Sequence, residues 1–449
     1  MRPSHPRDGG TELIESKDIC VTLRVVTPIL GGAPHLREID DVDGVRVPTI
    51  RGHLRFWWRA LHGHRFATAR DLYAAEAALW GRATGHETTD GGSARSSVEV
   101  RVSVRFESLA QATEDTSELR PGSPHFYALW PTRATGGGSP ASRRSPGITF
   151  ELRLRTPADR EADVRASVCA WVLFGGYGSR TRRGVGSLSV ANGEASKWLP
   201  QHATAQAINE LFGRDIFQAA VEPSSSLPLL AGAALYVGKR AQSDAEAAWT
   251  EALEWLREFR QGPKSGAANS AREPGSDSSR PGISNWPEAD KVRQLSQPSR
   301  GLTWAHPPHH NATPAWPRAG FGLPIIGQFQ KKDRKKQFWS DNGKTEPEAF
   351  ELTWMDGSGT RDRLASPLIV KSLPLADGKF VPCALWFHRA YPNGKVVLKD
   401  RERRERSAVP FDRLVAEGDM PRFKALANKQ SLRQAFFDWL RGKAIMVAP

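Results

Sequence analysis

Hydrophobic and polar residues follow regular patterns along the first half of the chain. Four segments alternate with the period of two that is typical of strands, at 19–27, 98–106, 148–155 and 185–190. Two segments, 51–64 and 162–174, have the period of an amphipathic helix instead. The order βαββαβ predicts an α+β unit in which a four-stranded sheet packs against two helices.

The second half shows the same patterns less regularly. Strands are predicted at 229–237, 322–329, 350–354, 368–373 and 384–388, and helices at 244–260 and 432–441. Residues 261–285 are rich in Gly, Ser and Pro, which predicts a flexible insertion. We therefore expect a loose tail at 1–17, a first domain at 18–200, and a second, decorated copy of the same α+β unit at 201–449.

The charge balance suggests what kind of partner the protein binds. Lys and Arg number 63 against 49 Asp and Glu, which gives a net charge of +14 and a pI near 9.9. A surplus of this size attracts polyanions such as nucleic acid, although an arginine-rich proteome would produce the same balance.

Three cysteines lie far apart without a C-x-x-C pair, so neither a disulfide framework nor a zinc ribbon is indicated. The N-terminus has no apolar signal-peptide core, and no apolar run reaches the length of a membrane span. We expect a cytoplasmic protein without a membrane partner.

The first predicted helix carries a row of arginines. Arg51, Arg55 and Arg59 recur every four residues and therefore share one face, and no acidic residue lies within the helix. Three guanidinium groups side by side favour an anionic partner such as a phosphate chain. The alternative is a solvated face whose acids come from another segment of the chain.

The second helix is followed by the glycine-rich segment GGYGSRTRRGVG at 175–186. Glycine lets a backbone approach a ligand closely, so N–H groups can meet phosphate oxygens. The candidate RNA-binding residues here are Gly175, Gly176, Tyr177, Arg180, Arg182, Arg183 and Gly184, with the tyrosine ring offered for base stacking. The segment fits neither a P-loop nor a dinucleotide fingerprint, and an ordinary helix-to-strand turn is the alternative.

Three other groups of residues are weaker candidates. Asp40, Asp41 and Asp43 are interpreted as a surface Asp-Gly turn. Residues 306–310 (HPPHH) and the basic run 331–336 are interpreted as loops. We expect no catalytic residue, metal or cofactor; an endoribonuclease using those aspartates, or a histidine such as His35, is the alternative.

Several motifs resemble one known family. TPILGG at 27–32, VPTIRGHLRFWWR at 47–59 and GGYGSRTRRGVGS at 175–187 resemble the RAMP superfamily of CRISPR systems. The Phe-Trp-Trp-Arg variant is similar to the first-numbered Cmr subunits of type III-B effector complexes. NWPE at 285–288, GFGLP at 320–324 and RLASP at 363–367 are similar to that family as well, in the expected order.

The resemblance implies a fold and a function. It implies two tandem ferredoxin-like domains with long loop insertions, in a non-catalytic subunit at one end of a multi-subunit complex. The expected partners are guide RNA near its 3′ end, the paired target RNA and other Cmr-complex subunits. A general RRM-like binder of messenger RNA is a further alternative, but the strand at 98–106 carries only Phe106 for stacking.

Overall fold

The structure is a computed structural model of the 449-residue chain. It describes residues 15–33, 38–40, 42–82, 95–105, 113–115, 125–133, 140–191, 193–220, 226–263, 270–273, 283–298, 300–308, 315–329, 343–361, 363–400, 405–411, 413–415 and 421–449.

Strands and helices are numbered in chain order. The strands are β1 (Ser16–Val25), β2 (Ile29–Leu30), β3 (Glu99–Val104), β4 (Thr113–Asp115), β5 (Ser142–Arg144), β6 (Thr149–Pro157), β7 (Leu188–Val190), β8 (Leu229–Gly238), β9 (Thr303–Trp304), β10 (Ile325–Gly327), β11 (Lys344–Thr345), β12 (Phe350–Asp356), β13 (Gly359–Arg361), β14 (Leu368–Pro374), β15 (Phe380–His388), β16 (Lys395–Lys399), β17 (Glu405–Val409) and β18 (Ala444–Ala448).

The α-helices are α1 (Val47–His62), α2 (Ala69–Trp80), α3 (Phe126–Leu129), α4 (Glu161–Phe174), α5 (Ala195–Trp198), α6 (Ala205–Phe212), α7 (Ala245–Gln261), α8 (Pro287–Leu295) and α9 (Leu432–Leu440). Short 3₁₀ turns lie at Gly63–Arg65, Trp130–Thr132, Ala158–Arg160, Thr181–Arg183, Pro317–Phe321 and Lys424–Leu426. No helix of the described residues is long and apolar enough to cross a membrane.

The first unit is built on a four-stranded antiparallel sheet. Its strands lie in the order β3–β6–β1–β7. Leu23 and Phe150, which are register partners, are fully buried on one face, whereas Arg24 and Arg153 are exposed on the other. This alternation is the predicted one, and the buried face packs against α1 and α4.

The second unit repeats this arrangement with different connections. Its sheet has the order β14–β15–β8–β18 and its helices are α7 and α9. Numbered within each unit, the strands lie side by side as second, third, first and fourth in both sheets. The mixed α+β architecture predicted from the sequence is therefore confirmed.

The second sheet is buried on both faces except along its edge strand β18, where Ile445 and Met446 are exposed. Every residue of β14 and β15 is buried. Leu235 and Leu385 belong to the core that also holds α1 and α4, whereas Tyr236 and Trp386 belong to the core around α7 and α9. The two units thus stack as sheet, helices, sheet and helices, and the first pair of helices is shared.

A third, smaller sheet interrupts the second unit. It contains β10, β12, β16 and β17, with β13 paired to β12. Leu352, Val396 and Leu398 form its core together with Trp316 and Leu323. It is made from the segments between α7 and β14 and between β15 and α9, which is why the sequence pattern there was irregular.

Several boundaries predicted from the sequence differ from those in the structure. The predicted tail at 1–17 overlaps β1, which begins at Ser16, and α6 buries Ile208 in the first core beyond residue 200. Within the predicted flexible insertion, Glu273 N–H donates to Ile283 O at 2.8 Å and Asn285 N–H to Ala271 O at 2.9 Å. The described part of that insertion is therefore held in backbone pairing. Helix α2 was not predicted at all.

A fully buried lysine joins the two units. Lys371 of β14 donates from Nζ to the carbonyl oxygens of Val172, at 3.0 Å, and Gly175, at 2.8 Å. These carbonyls lie at the C-terminal end of α4, where backbone acceptors have no partner within the helix. Burial lowers the pKa of the Lys371 ammonium from 10.5 to about 7.

We expect this lysine to make stability depend on pH. Between pH 7 and 10 the unfolded chain keeps the proton that the folded chain has released, so the free energy of unfolding rises with pH. Relative to Lys371→Met, the unchanged protein should gain about 1.4 kcal/mol per pH unit in this window. Urea unfolding at several pH values measures the difference.

The control for this experiment is Lys379→Met, because Lys379 is exposed and paired with Asp377. Its unfolding free energy should follow that of the unchanged protein at every pH. Parallel curves for Lys371→Met and the unchanged protein would show that the buried ammonium does not titrate in this range.

Candidate nucleic-acid interface

Helix α1 presents one apolar and one basic face. Pro48 lies in its first turn, a position where the missing N–H has no cost. Ile50, Leu54, Trp57 and Leu61 are buried in the first core, as the helical spacing predicted. The arginine row Arg51, Arg55 and Arg59 is only half-buried.

Two arginines of this row have a carboxylate partner. Arg55 Nε donates to Glu76 Oε1 at 2.5 Å, and Arg59 Nη1 donates to the same oxygen at 2.6 Å. Glu76 is buried on α2, so the argument that the row is not neutralised is wrong for Arg55 and Arg59. The acid comes from another segment, as the alternative interpretation required.

Helix α1 nevertheless carries more positive charge than Glu76 neutralises. One carboxylate serves two guanidinium groups, and Arg51 Nε has no hydrogen-bond partner among the described residues. The Arg51 Nε atom is itself buried, so this end of the row holds a polar atom whose hydrogen bond is unmade among the described residues.

The glycine-rich segment is packed inside the protein. Tyr177 is fully buried, and its hydroxyl accepts the N–H of Arg46 at 2.9 Å. The prediction that this ring stacks on a base is therefore wrong. The ring instead packs edge-on against His53, with 6.2 Å between the ring centroids.

The glycines permit close contacts between protein segments. A Cβ on Gly186, whose φ is +68°, would lie 1.9 Å from the carbonyl oxygen of Tyr177. A Cβ on Gly184 would lie 2.4 Å from the indole of Trp249, and one on Gly175 2.6 Å from Trp57 Nε1. The small residues are required by packing against the protein's own backbone and tryptophans, which sequence alone could not distinguish from a close approach to phosphate.

Two arginines of the segment reach into the second unit. Arg182 donates to the Ser366 carbonyl and lies between the rings of Phe56 and Phe387, at 5.8 and 5.6 Å. Arg183 donates to the Leu368 carbonyl at 3.1 Å. Burial lowers the pKa of Arg182 to about 9 and that of Arg183 to about 10. Both side chains therefore stabilise the contact between the units.

Arg180 differs from its two neighbours. Its backbone is left-handed, with φ at +60°, and its Nε donates to the Ala128 carbonyl at 2.5 Å. The side chain thus lies against the segment 125–133 instead of β14. The structure brings α1 and the glycine-rich segment into contact, but the arginines of that segment reach different neighbours.

In the acidic turn at 40–43, both side-chain oxygens of Asp40 already have local partners. Asp40 Oδ1 accepts the N–H groups of Val42, at 3.0 Å, and Asp43, at 2.9 Å. Its other oxygen lies 3.4 Å from Arg46 Nε. Among the described residues no group of three or more His, Cys, Asp or Glu side chains could hold a metal ion.

Some weaker candidates fall elsewhere. His306 Nε2 lies 3.8 Å from the buried carboxylate of Glu346, just beyond the paired strands β9 and β11. Asp41, His35, His309, His310 and the basic run 331–336 lie outside the described residues.

Sequence reasoning missed a second group of basic and aromatic residues. Tyr127 and Trp130 come from the segment 125–133, and Arg260 and Arg318 come from the second unit. Arg260 Nη1 donates to the hydroxyl of Tyr127 at 3.0 Å. No sequence pattern predicts that these residues lie together. Glu288, from the motif at 285–288, contacts the group through Arg318.

Comparison with known proteins supports the family resemblance. The family model for the RAMP superfamily matches residues 22–189. The match covers less than half of the chain. The matched segment contains α1, the acidic turn and the glycine-rich segment, and it ends within β7. No curated protein matches the chain.

Two solved structures align with most of the chain at low similarity. The crystal structure of Cmr1 from Pyrococcus furiosus in its apo form is 15% identical, with a TM-score of 0.41, over 83% of this chain and 88% of that one. The type III-B Cmr-beta bound to cognate target RNA is 10% identical, with a TM-score of 0.39, over 82% of this chain and 94% of that one.

Substitution of one glycine by alanine tests whether the glycine-rich segment is required for packing. Gly186→Ala should lower the free energy of unfolding by about 1 to 3 kcal/mol from the backbone conformation alone, and the contact with Tyr177 O adds to this loss. Gly193→Ala is the control, because nothing lies within 4 Å of its Cβ position. Its effect should stay within about 0.5 kcal/mol in urea unfolding; equal effects for the two variants would refute the packing role.

Proposed function

We propose that this protein is a non-catalytic, RNA-binding subunit of a type III-B CRISPR (Cmr) effector complex that acts in antiviral defence in the cytoplasm. It caps one end of the complex and holds guide RNA near its 3′ end together with the paired target RNA. The observation that carries this proposal is the RAMP superfamily match over residues 22–189 in a chain with a net charge of +14.

The proposal includes a tandem ferredoxin-like fold. The strand order of both four-stranded sheets, with two helices in each unit, is that of a βαββαβ unit. The third sheet and the segment around α8 are insertions into the second copy. Both copies contribute to one continuous body, which suits a subunit that presents a single surface to neighbouring subunits.

The RNA-binding part of the proposal depends on the positive charge of α1 that Glu76 does not neutralise. Arg51 has an unpartnered Nε among the described residues, and Arg55 and Arg59 share one carboxylate. Guanidinium groups that lack carboxylates favour phosphate oxygens, which accept the same paired hydrogen bonds. Because phosphate contacts read no bases, sequence specificity would come from guide–target pairing.

The absence of catalysis in this proposal has a physical basis too. The alternative, a RAMP endoribonuclease, needs a free carboxylate or a general acid–base pair beside the RNA. Asp40 is engaged by two N–H groups and by Arg46, and burial lowers the pKa of His53 to about 4 and of His62 to about 3. Side chains in these states favour a structural role.

We expect the purified full-length chain to bind single-stranded RNA in a strongly salt-dependent manner. Affinity should fall by at least about tenfold between roughly 50 and 200 mM salt, because counterions are released when phosphates are neutralised. Fluorescence anisotropy with a labelled RNA measures the slope. An affinity that does not change with salt would contradict the proposal.

The same preparation should leave labelled guide and target RNA intact, with Mg²⁺ or with EDTA. Cleavage that disappears in Asp40→Asn or Asp43→Asn would establish the endoribonuclease instead.

Purification from the native cell, followed by sequencing of bound small RNA, tests the CRISPR assignment directly: repeat-derived guides support it, and their absence contradicts it.

A further inference from the structure

Four arginines gather around the side chain of Tyr127 where the two units meet, and a fifth, Arg272, lies near Arg318. We call them the arginine cluster: Arg180, Arg183, Arg260, Arg272 and Arg318. Two come from the glycine-rich segment, one from the end of α7, one from residues 270–273 and one from the 3₁₀ turn Pro317–Phe321. All five are half-buried, and none belongs to the row on α1.

Neutral acceptors hold most of these guanidinium groups in place. Arg260 donates to the Tyr127 hydroxyl at 3.0 Å, and Arg318 donates to Ser284 Oγ at 3.0 Å. Arg180 and Arg183 donate to backbone carbonyls, as described above. These contacts orient the arginines without neutralising them.

Glu288 is the carboxylate that faces the cluster among the described residues. Its Oε1 accepts the N–H of Arg318 at 2.6 Å, whereas its Oε2 lies 3.9 Å from Arg318 Nε. Both Oε2 and that Nε are buried without a hydrogen-bond partner. The side chain is fully buried, and burial raises its pKa.

The cluster is therefore positively charged in a partly desolvated place. The pKa of Arg318 is lowered to about 10, by burial first and also by the nearby charges of Arg260 and Arg272, although Glu288 raises it. The pKa of Arg183 is lowered to about 10 by burial first, and then by Arg260 and Arg180. Like charges held together away from water are costly to the protein alone, and a bound anion relieves that cost.

An exposed aromatic ring follows Tyr127 in the same segment. Trp130 comes three residues after Tyr127 and is 46% exposed, which makes it one of the few large apolar side chains open to solvent among the described residues. The guanidinium of Arg133 lies over its ring, 3.0 Å from the centroid. A ring next to several arginines is the combination that binds single-stranded nucleic acid, because bases stack on the ring while phosphates meet the cations.

We infer that the arginine cluster binds a phosphate group of an RNA strand, and that Trp130 stacks the adjacent base. This inference rests on the proposed function, because it assumes an RNA ligand. It adds a second contact region, which is made largely from the second unit and is distinct from the row on α1. Guanidinium groups in this number suit either a terminal phosphate or a phosphodiester.

The test compares charge variants of the full-length chain by fluorescence anisotropy with one labelled single-stranded RNA. Arg260→Gln and Arg318→Gln should each weaken binding several-fold and reduce the salt slope by about 1. Trp130→Ala should weaken binding with little change in that slope. Arg441→Gln is the control, because Arg441 is exposed and paired with Asp438.

Glu288→Gln best distinguishes an RNA-binding cluster from a purely structural one. It removes the cluster's carboxylate charge but keeps an acceptor for the N–H of Arg318, so RNA should bind more tightly, by about threefold or more. A purely structural cluster predicts weaker or unchanged binding in this variant. Thermal unfolding of each variant shows whether a loss of binding follows from a loss of folded protein.

A second RNA, identical but ending in a 3′-phosphate instead of a 3′-hydroxyl, distinguishes the two sources of phosphate. Tighter binding that Arg260→Gln abolishes identifies a terminal phosphate, and equal binding identifies an internal phosphodiester. If the folded arginine variants and Glu288→Gln bind as the unchanged protein does, the inference is overturned while the proposed function stands. If the unchanged protein fails to bind RNA, the proposed function itself is overturned.

Discussion

The burial of the second sheet on both faces is the constraint on which the rest of the structure depends. A sheet covered by helices on both sides has no solvated face, so its polar groups must find partners within the protein. Lys371 meets this requirement by donating to the end of α4. The glycine-rich segment also meets it, since Arg182 and Arg183 donate to carbonyls at the start of β14.

This constraint changes how the arginines are understood. In the sequence they form two dense groups that point equally to RNA. In the structure, Arg182 and Arg183 stabilise the contact between the units, and Arg55 and Arg59 share Glu76. What remains for a ligand is Arg51 and the other members of the arginine cluster, which come from segments far apart in the chain.

Some of this could be predicted from the sequence and some could not. The strands of the first sheet follow from their alternation, because one of its faces is exposed and each residue's neighbours reveal its side. The strands β14 and β15 carry no such alternation, since both faces are buried. Glu76 was missed because α2 has a weak pattern, and the role of Tyr177 was misjudged because burial of a tyrosine depends on contacts such as that with Arg46. The cluster was invisible because charge pairing between distant segments leaves no periodic signal.

The shared layer of helices has a consequence for how the chain reaches its folded state. The outer sides of α1 and α4 are covered by β8, β14 and β15, the last of which ends at His388. During synthesis the amino-terminal half therefore emerges with an apolar surface that stays uncovered until most of the chain has left the ribosome. A fragment cut near residue 200 would leave that surface exposed to solvent, which favours aggregation of the fragment.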